Sequence, residues 1–445
     1  WEIQGWMILI LGWVFVPFYT RSMVYTMPEF LERRYNPQSR TILSVISLVS
    51  YVLTKVAVTV YAGGLVFQQV FGIKELWGID FFWIAAIGLV VLTALYTIFG
   101  GMKSVLYTSV LQTPILLLGS LIILVLGFKE LGGWDEMMRV CGAVTVNDYG
   151  DTMTNLIRSN DDANFPWLGA LIGSAIIGFW YWCTDQFIVQ RVLSGKNEME
   201  ARRGTIFGAY LKLLPVFLFL IPGMIAFALH QKYIGAGGEG FLPMLANGTA
   251  NADAAFPTLV AKLLPAGVKG LVVCGILAAL MSSLASLFNS SAMLFTIDFY
   301  KRFKPETPEK KLVGIGQIAT IVIVVLGILW IPIMRSVGDV LYTYLQDVQS
   351  VLAPGIAAAF LLGICWKRTS AQGGMWGLIS GMVIGLTRLG AKVYYSNAGE
   401  VADSTFKYLF YDMNWLFFCG WMFLFCIIVV IVVSLATEAP TAEKI

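Results

Sequence analysis

The stretch AALMSSLASLFNSSAMLFTIDFY, residues 278–300, decides what kind of helix the rest of the chain must accommodate. It is apolar and long enough to cross a bilayer, yet it carries a series of serines and an asparagine. At the helical period these polar residues share one face, because positions three, four and seven apart lie on the same side of a helix. The face is small and rich in oxygen, and its members are Ala279, Ser282, Ser283, Ser286, Asn289 and Ser290.

Two interpretations of this face are open at the level of sequence. Hydroxyl groups can bond to the backbone of their own helix, so the face can be a close contact between helices with small residues inward. It can equally be a cation site, since a dehydrated monovalent cation needs several hard oxygens. Two adjacent serines and a carbonyl about one turn earlier, roughly 5–6 Å along the axis, supply such oxygens where helices meet.

Composition identifies the class of protein that surrounds this stretch. Of the 445 residues 58% are hydrophobic and only 13% are charged, which is too few polar residues to cover soluble surfaces. Apolar runs of about 20 residues recur along the whole chain. The chain is therefore predicted to be an all-α polytopic membrane protein. With one histidine, a histidine-based metal or catalytic centre is not expected, and the dispersed Lys and Arg predict no nucleic-acid partner.

We expect about eleven transmembrane helices, separated by short loops and two long ones. Their ranges are 2–20, 40–71, 80–99, 105–128, 166–190, 207–229, 268–297, 312–334, 341–365, 372–392 and 412–436. If residue 1 lies outside, the inward loops hold 17 of the 30 Lys and Arg, as the positive-inside rule requires. This predicts a multi-pass protein of the cell membrane with the lipid bilayer around it and residues 437–445 as a cytoplasmic tail.

The spans suggest internal repetition. Many secondary transporters consist of two inverted repeats of equal helix number, with the binding site between them at mid-membrane. Residues 166–365 contain five spans and would form a second repeat. Residues 1–128 contain four and would form a partial first repeat, so we expect that a helix ahead of Trp1 is missing. Residues 372–436 add further helices, and 1–436 is expected to be a single transporter domain.

Three passages together resemble the sodium:solute symporter family, in particular its sodium/glucose cotransporter branch. They are WYWCTDQFIVQRVLSGKN at 180–197, FNSSAMLFTIDFYKRF at 288–303 and YLQDVQSVLAPGIAAAFLLGICWKR at 344–368. YTMPEFLERRYNP at 25–37 and YTIFGGMKSVLYT at 96–108 fit as well. The resemblance implies the five-plus-five inverted repeat of the leucine-transporter type. On that frame the chain starts at the second core helix and is incomplete at its N-terminus.

The resemblance also implies sodium as the coupling ion. The family binds sodium through two adjacent serines and a carbonyl of the eighth core helix, which here match Ser282, Ser283 and the carbonyl of Ala279. A second ion in some members is associated with a threonine two residues after the serine pair and with an aspartate of the fifth core helix. Ala285 and Ser109 stand at those positions, so we expect one sodium ion per solute.

For the solute, the resemblance implies a sugar held between aromatic rings and long polar side chains. An aromatic ring suits the apolar face of a pyranose, and donors and acceptors around it pair with the hydroxyls. For the aromatic rings the alternative is packing in an apolar helix without contact to a solute. For the charged side chains the alternative is that they reach water at the ends of their helices. Gly178 departs from the family, which has Asn or Thr there. The predicted solute-binding residues are Glu2, Tyr181, Trp182, Lys212 and Gln346, with Asp185 and Arg191 expected to pair with each other or cap the helix.

These features predict sodium-coupled symport of a hexose-type sugar by alternating access. A symporter for inositol or another polyol is the alternative within the family. A sensor of sugar that does not transport it, or a uniporter-like channel on the same fold, is the alternative from another class. An enzyme is not expected, because the chain has no His, Cys or paired-carboxylate constellation for catalysis. No obligate protein partner is predicted.

Overall fold

The computed structural model describes residues 4–22, 24, 26–245, 248–337, 340–397 and 402–441, with the side chains of 96, 98–105 and 335–337 excepted. The described part is almost entirely helical, and its one small sheet is the hairpin of β1 (Glu75–Leu76) and β2 (Ile79–Asp80). The helices are α1 Gly5–Ser22, α2 Met27–Arg34, α3 Pro37–Phe71, α4 Phe81–Leu131, α5 Trp134–Gly142, α6 Trp167–Thr184, α7 Gln186–Leu193, α8 Glu198–Gly235, α9 Ala255–Leu263, α10 Ala266–Phe303, α11 Glu309–Val337, α12 Leu341–Cys365, α13 Ala371–Asn397, α14 Thr405–Lys407 and α15 Trp415–Ala436.

Local sequence explains where these helices begin and end. The side chains of Thr26 and Asn36 accept from backbone N–H groups at the starts of α2 and α3, and both helices have proline in the first turn. Asp80 caps α4 in the same way. Gly72 ends α3 in the left-handed conformation, with φ of 65°, which glycine adopts without strain.

Eight helices of the described part are long and apolar enough to cross a membrane, or nine if α1 and α2 together form one bent span. Two expected spans fall outside this set. Residues 81–95 are apolar but short, and α13 carries buried charged side chains, Arg388 fully and Lys392 partly, in its second half. The count of eleven therefore stays a prediction.

One expectation about the backbone is wrong. The sequence predicts an inward loop around Lys103 between the spans 80–99 and 105–128, whereas α4 is helical without interruption over 51 residues. Residues 106–131 are long and apolar enough to cross a membrane by themselves, so the two spans stay a prediction and only the loop is wrong. A pair of glycines at 100–101 costs only about 1 kcal/mol per residue in a helix. The strongly apolar runs on both sides evidently outweigh this cost.

Some of the predicted site residues lie on helices of two closely packed groups, α4 with α10 and α12 with α13 and α15. α4 lies along α10, and Gly119 and Gly275 let the backbones approach, since a Cβ on Gly119 would lie 2.5 Å from Val272. α12 lies between α13 and α15, where a Cβ on Gly381 would lie 2.6 Å from the Cα of Gly355. α6 ends in a wide π-helical turn, Phe179–Thr184, that packs against α12 and against α1.

Candidate functional site

Ser282 and Ser283 lie in the second half of the regular part of α10, where the small residues of its oxygen-rich face meet α4. Ser282 is 6% exposed, and its hydroxyl oxygen lies 2.6 Å from that of Ser109 on α4. Ser283 is partly buried, as is Ala279 one turn before it. The close helix contact suggested by the sequence is thus present. The same contact brings hydroxyl oxygens of two helices together.

The continuation of this face contacts α7. Gln190 donates from its amide to the carbonyl of Ser286, 3.1 Å away, and to the hydroxyl of Ser290. Arg191 donates to the hydroxyl of Ser286 and, at 3.5 Å, to the carbonyl of Ser282. The oxygens of α10 are therefore shared between the neutral side chains of Ser109 on α4 and Gln190 on α7 and the positively charged side chain of Arg191 on α7.

The donor set in this region fits a hard monovalent cation. Hydroxyl and carbonyl oxygens are the ligands that such ions prefer, and Ser282, Ser283 and the carbonyl of Ala279 would hold one. In the described part of the chain, His, Cys, Asp and Glu nowhere gather in the groups of three or more that a transition metal requires. The chemistry therefore favours sodium over zinc, copper or iron at this place.

The aromatic pair Tyr181 and Trp182 lies on the wide turn that ends α6. The two rings are nearly perpendicular, with centroids 4.9 Å apart. The indole nitrogen of Trp182 is buried and has no hydrogen-bond partner among the described residues. Helices with such wide turns are frequent at functional sites, because the turn redirects side chains and frees backbone groups.

The chain leaves the helical conformation at Asp185, so that α6 and α7 are two halves of a broken helix. The Asp185 carboxylate accepts from the N–H of Phe187 and caps α7. It also accepts from the hydroxyl of Tyr51 at 2.9 Å and pairs with the ammonium of Lys55, which in turn lies 5.2 Å from the centroid of the Tyr181 ring. A wide turn of α3, Tyr51–Val56, thus holds the break directly beside the aromatic pair.

Lys55 is a residue that the sequence analysis missed. We expected Asp185 to cap or to pair with Arg191; it caps as expected, but its ion pair is with Lys55, and Arg191 reaches α10 instead. The sequence did indicate this position, because burying a lysine inside an apolar span costs free energy. Such a lysine is usually functional or paired with an opposite charge. What sequence could not show is which carboxylate lies opposite it.

Gln346 lies on α12, the helix that packs against the turn carrying Tyr181 and Trp182. It is 7% exposed, and its amide oxygen has no hydrogen-bond partner among the described residues. The next residue, Asp347, points to α13 instead, where it pairs with Lys392 and lies 3.9 Å from Arg388. This second buried ion cluster was also not anticipated.

The remaining predicted residues border α1. Lys212 is partly buried, and its Cγ would lie 3.3 Å from a Cβ on Gly5. A Cβ on Gly178 would lie 3.0 Å from Met7 and 3.4 Å from Gln4, so α1 fills the space where the family has a polar side chain. Glu2 lies outside the described residues. The structure thus brings the aromatic pair next to the helix of Gln346, and places Lys212 against Gly5 of α1.

Comparison with known proteins identifies the family of the chain. Residues 3–381 match the sodium:solute symporter family. Sodium/glucose cotransporter 1 of Ovis aries is 37% identical over 98% of this chain and 67% of its own length. Sodium/myo-inositol cotransporter 2 of Homo sapiens is 35% identical over 100% of this chain and 67% of its own length. Sodium/glucose cotransporter 4 of Danio rerio is 35% identical over 99% of this chain and 68% of its own length.

The fold is shared with a solved transporter. A Na⁺-coupled sialic acid symporter in its substrate-bound outward-open state superposes with a TM-score of 0.73 over 99% of this chain and 84% of that one, at 20% identity. This confirms the predicted leucine-transporter-type fold.

The chain belongs to the sodium:solute symporter family. It is a sodium-coupled solute transporter of the multi-pass membrane class, and the expectation that it is not an enzyme is confirmed.

Proposed function

We propose that this protein moves a hexose-type sugar together with one sodium ion by alternating access. The observation that carries the choice of sugar is that two polar atoms, the indole nitrogen of Trp182 and the amide oxygen of Gln346, are buried without a partner among the described residues. Such atoms are rare unless something else bonds to them. A sugar hydroxyl can accept from the first and donate to the second, while the Tyr181 ring offers a stacking face.

The relatives support the same class of solute. Those compared above are named as glucose or myo-inositol cotransporters, and another, from Bos taurus, is named as a sodium/mannose cotransporter at 36% identity. The predictions that Lys212, which packs against Gly5 of α1, and Glu2 also bind the solute are kept as part of this proposal. A polyol such as inositol is the second candidate, since the inositol relative matches the whole chain and Gly178 offers no side chain to a sugar hydroxyl.

We place sodium at Ser282, Ser283 and the carbonyl of Ala279, and propose one ion per solute. We propose no second ion because Ser109 stands where the resemblance places an aspartate, and its hydroxyl bonds to that of Ser282. The proposed orientation has residue 1 outside the cell and the C-terminus in the cytoplasm. Residues 1–128 and 166–365 are the proposed repeats.

Uptake of labelled hexose into proteoliposomes, with and without a sodium gradient, tests this function. Ser283→Ala should raise the sodium concentration for half-maximal uptake, because an oxygen ligand is lost. Lys212→Ala should mainly raise the hexose concentration for half-maximal uptake. Counterflow that ignores sodium would identify a uniporter-like protein, and inositol outcompeting every hexose would identify a polyol symporter. Equal sodium dependence of the parent and Ser283→Ala would refute the sodium site.

A further inference from the structure

The carboxylate of Asp253 caps a helix that is far from it in the sequence. Asp253 belongs to a single turn of 3₁₀ helix, Ala252–Ala254, between α8 and α9. Both of its carboxylate oxygens lie 3.1 Å from the backbone nitrogen of Leu341, the first residue of α12. Val340, the residue before α12, makes no side-chain cap of its own. The start of α12 therefore takes its cap from another segment of the chain.

The charges around this contact favour it. The first N–H groups of an α-helix have no partner within the helix and carry partial positive charge, which attracts a carboxylate. In the part of the chain that the structure describes, no lysine or arginine pairs with Asp253, and its carboxylate accepts from Leu341. Burial raises the pKa of Asp253, while the hydrogen bond from Leu341 acts in the opposite direction. The N-terminus of α12 is thus the group that holds this carboxylate.

The turn that carries Asp253 is itself fixed by hydrogen bonds. The side-chain oxygen of Asn251 accepts from the N–H of Asp253 at 3.1 Å, and the N–H of Asn251 donates to the carbonyl of Pro243 at 2.9 Å. α9 follows the turn directly and packs against α3, α4 and α8. Asp253 therefore joins the start of α12 to a segment that is anchored on three other helices.

The first turns of α12 lead to the proposed solute site. Gln346 follows Leu341 by five residues, which is about 7.5 Å along the helix axis. Between them, the hydroxyl of Tyr344 accepts from the indole of Trp330 at 2.6 Å and donates to the carbonyl of Leu53 at 3.0 Å. Leu53 belongs to the wide turn of α3 beside the aromatic pair. Movement at the start of α12 therefore changes where Gln346 lies relative to that pair.

We propose that Asp253 is an outer latch, which fastens the turn before α9 to the start of α12 and so positions Gln346 for the solute. This rests on the proposed function, because it needs Gln346 to bind the solute and the turn to lie outside the cell. Asp253 is a positioning residue that acts through α12. Release of Leu341 frees the outer end of α12 when the solute enters. By linkage, the bound solute strengthens the latch to the same degree that the latch strengthens solute binding.

Amide exchange in the purified full chain reports the latch directly. In Asp253→Ala the N–H of Leu341 loses its acceptor, so exchange of residues 341–344 should speed up about tenfold. Asp253→Asn keeps an oxygen at the same place and should exchange within about twofold of the parent. Saturating hexose should slow this exchange in the parent and have a smaller effect in Asp253→Ala. Asp161→Ala, which removes an exposed carboxylate from the other long loop, is the matched control and should behave like the parent.

Binding of labelled hexose gives the functional readout. Asp253→Ala should raise the dissociation constant for hexose about tenfold, within the usual range of coupling between sites. Asp253→Asn should restore hexose affinity. Binding of radioactive sodium in the absence of hexose should stay unchanged in both variants, because the proposed sodium oxygens lie on α10. A general loss of structure would weaken sodium binding as well, so this comparison separates positioning from stability.

The outcomes distinguish the latch from the solute site. Weaker hexose binding in Gln346→Met with unchanged exchange and hexose affinity in Asp253→Ala would overturn the latch and leave the site intact. Unchanged hexose affinity in Gln346→Met would overturn the assignment of the site. Equal losses of sodium and hexose binding in Asp253→Ala would also refute the latch. If that variant does not fold, Asn251→Ala loosens the turn instead; it should speed exchange at the start of α12 and weaken hexose binding, and parent-like values would refute the latch.

Discussion

Two buried glutamines differ in what their side chains bond to, and the difference separates binding from stability. The amide of Gln190 donates to the carbonyl of Ser286 and the hydroxyl of Ser290, so it joins α7 to α10. The amide oxygens of Gln190 and Gln346 both lack a hydrogen-bond partner among the described residues, so what distinguishes Gln190 is the two bonds that its amide nitrogen donates. A satisfied buried group stabilises the fold, whereas an unsatisfied one costs free energy until a ligand arrives.

We expect Gln346→Met to lower hexose affinity about tenfold, equivalent to about 1.4 kcal/mol, with little change in the thermal midpoint. Gln190→Met, a change of the same size, should lower the midpoint because it removes the two hydrogen bonds that join α7 to Ser286 and Ser290 of α10. Binding of labelled hexose and thermal unfolding in detergent, measured on both variants, check this. The assignment of Gln346 would be contradicted by a large loss of stability with unchanged hexose affinity.

The break between α6 and α7 is held by an ion pair across helices. Lys55 and Asp185 are both buried, with side-chain exposures of 9% and 2%. Removing one partner of such a pair leaves an uncompensated charge in a medium that solvates it poorly, at a cost of roughly 3–5 kcal/mol. Here Asp185 keeps the hydroxyl of Tyr51 and the N–H of Phe187, which reduces that cost.

We therefore predict that Lys55→Met lowers stability by about 2–4 kcal/mol, and that adding Asp185→Asn restores part of the loss. Thermal or denaturant unfolding of the two single variants and the double variant gives the coupling energy. Simple additivity of the two substitutions would show that the pair contributes no interaction of its own.

Two carboxylates, Asp151 and Asp162, hold the long loop before α6 through hydrogen bonds. Ser159 donates its N–H to Asp151 and, with the amide of Asn147, lowers the pKa of that carboxyl. Burial raises the pKa of Asp162, but the N–H groups of Phe165 and Asn164 and the nearby Arg158 outweigh this, and the net shift is downward. Groups with lowered pKa stabilise the folded loop above their ordinary pKa, and this contribution is lost as pH falls through the lowered value.

Amide exchange of residues 145–165, corrected for intrinsic rates, should thus stay constant from pH 7 to about pH 5 and speed up below about pH 4. Asp162→Asn should loosen the loop at neutral pH and abolish much of the acid response. An equally acid-sensitive loop in that variant would exclude Asp162 as a cause.

Sequence predicted the helices better than their contacts. Apolar runs located nearly every helix, because burial and hydrocarbon thickness act on composition and length. The caps at Asp80 and Asp185 follow local rules as well. The pairs of Lys55 with Asp185 and of Lys392 with Asp347 join positions far apart in the chain, and only the packed fold brings such charges together. For the same reason the contact of Ser109 with Ser282 was not foreseen.

An ion pair and hydrogen bonds join the end of α10 to the start of α3. Asp298 is fully buried, pairs with Arg40 at 2.6 Å and accepts from the hydroxyl of Thr26, which caps α2. One turn further, Arg302 donates to the hydroxyl of Thr41. The proposed topology assigns this end of the helices to the cytoplasm. In that topology, this cluster joins the cytoplasmic ends of α3 and α10.

Alternating access requires that the inner ends of helices separate when the solute leaves. If α3 and α10 are two such helices, a covalent link between residues 41 and 302 should stop transport. We predict that Thr41→Cys with Arg302→Cys, joined by a short bifunctional thiol reagent, loses at least nine-tenths of sodium-driven uptake, while sodium binding to the purified chain persists. The exposed thiols Cys274 and Cys365 are first replaced by serine so that the reagent reaches only the designed pair.

The matched control links two positions on one helix. Gln38→Cys with Thr41→Cys lies within α3, where residues three apart are neighbours, so the same reagent bridges them without joining α3 to α10. This variant should transport like the parent, because a link inside a rigid helix does not oppose separation of two helices. Full uptake by protein in which the bridge from α3 to α10 has been verified by mass spectrometry would show that these ends stay together throughout the cycle. The inner opening would then have to form elsewhere, between helices that the Asp298 cluster does not join.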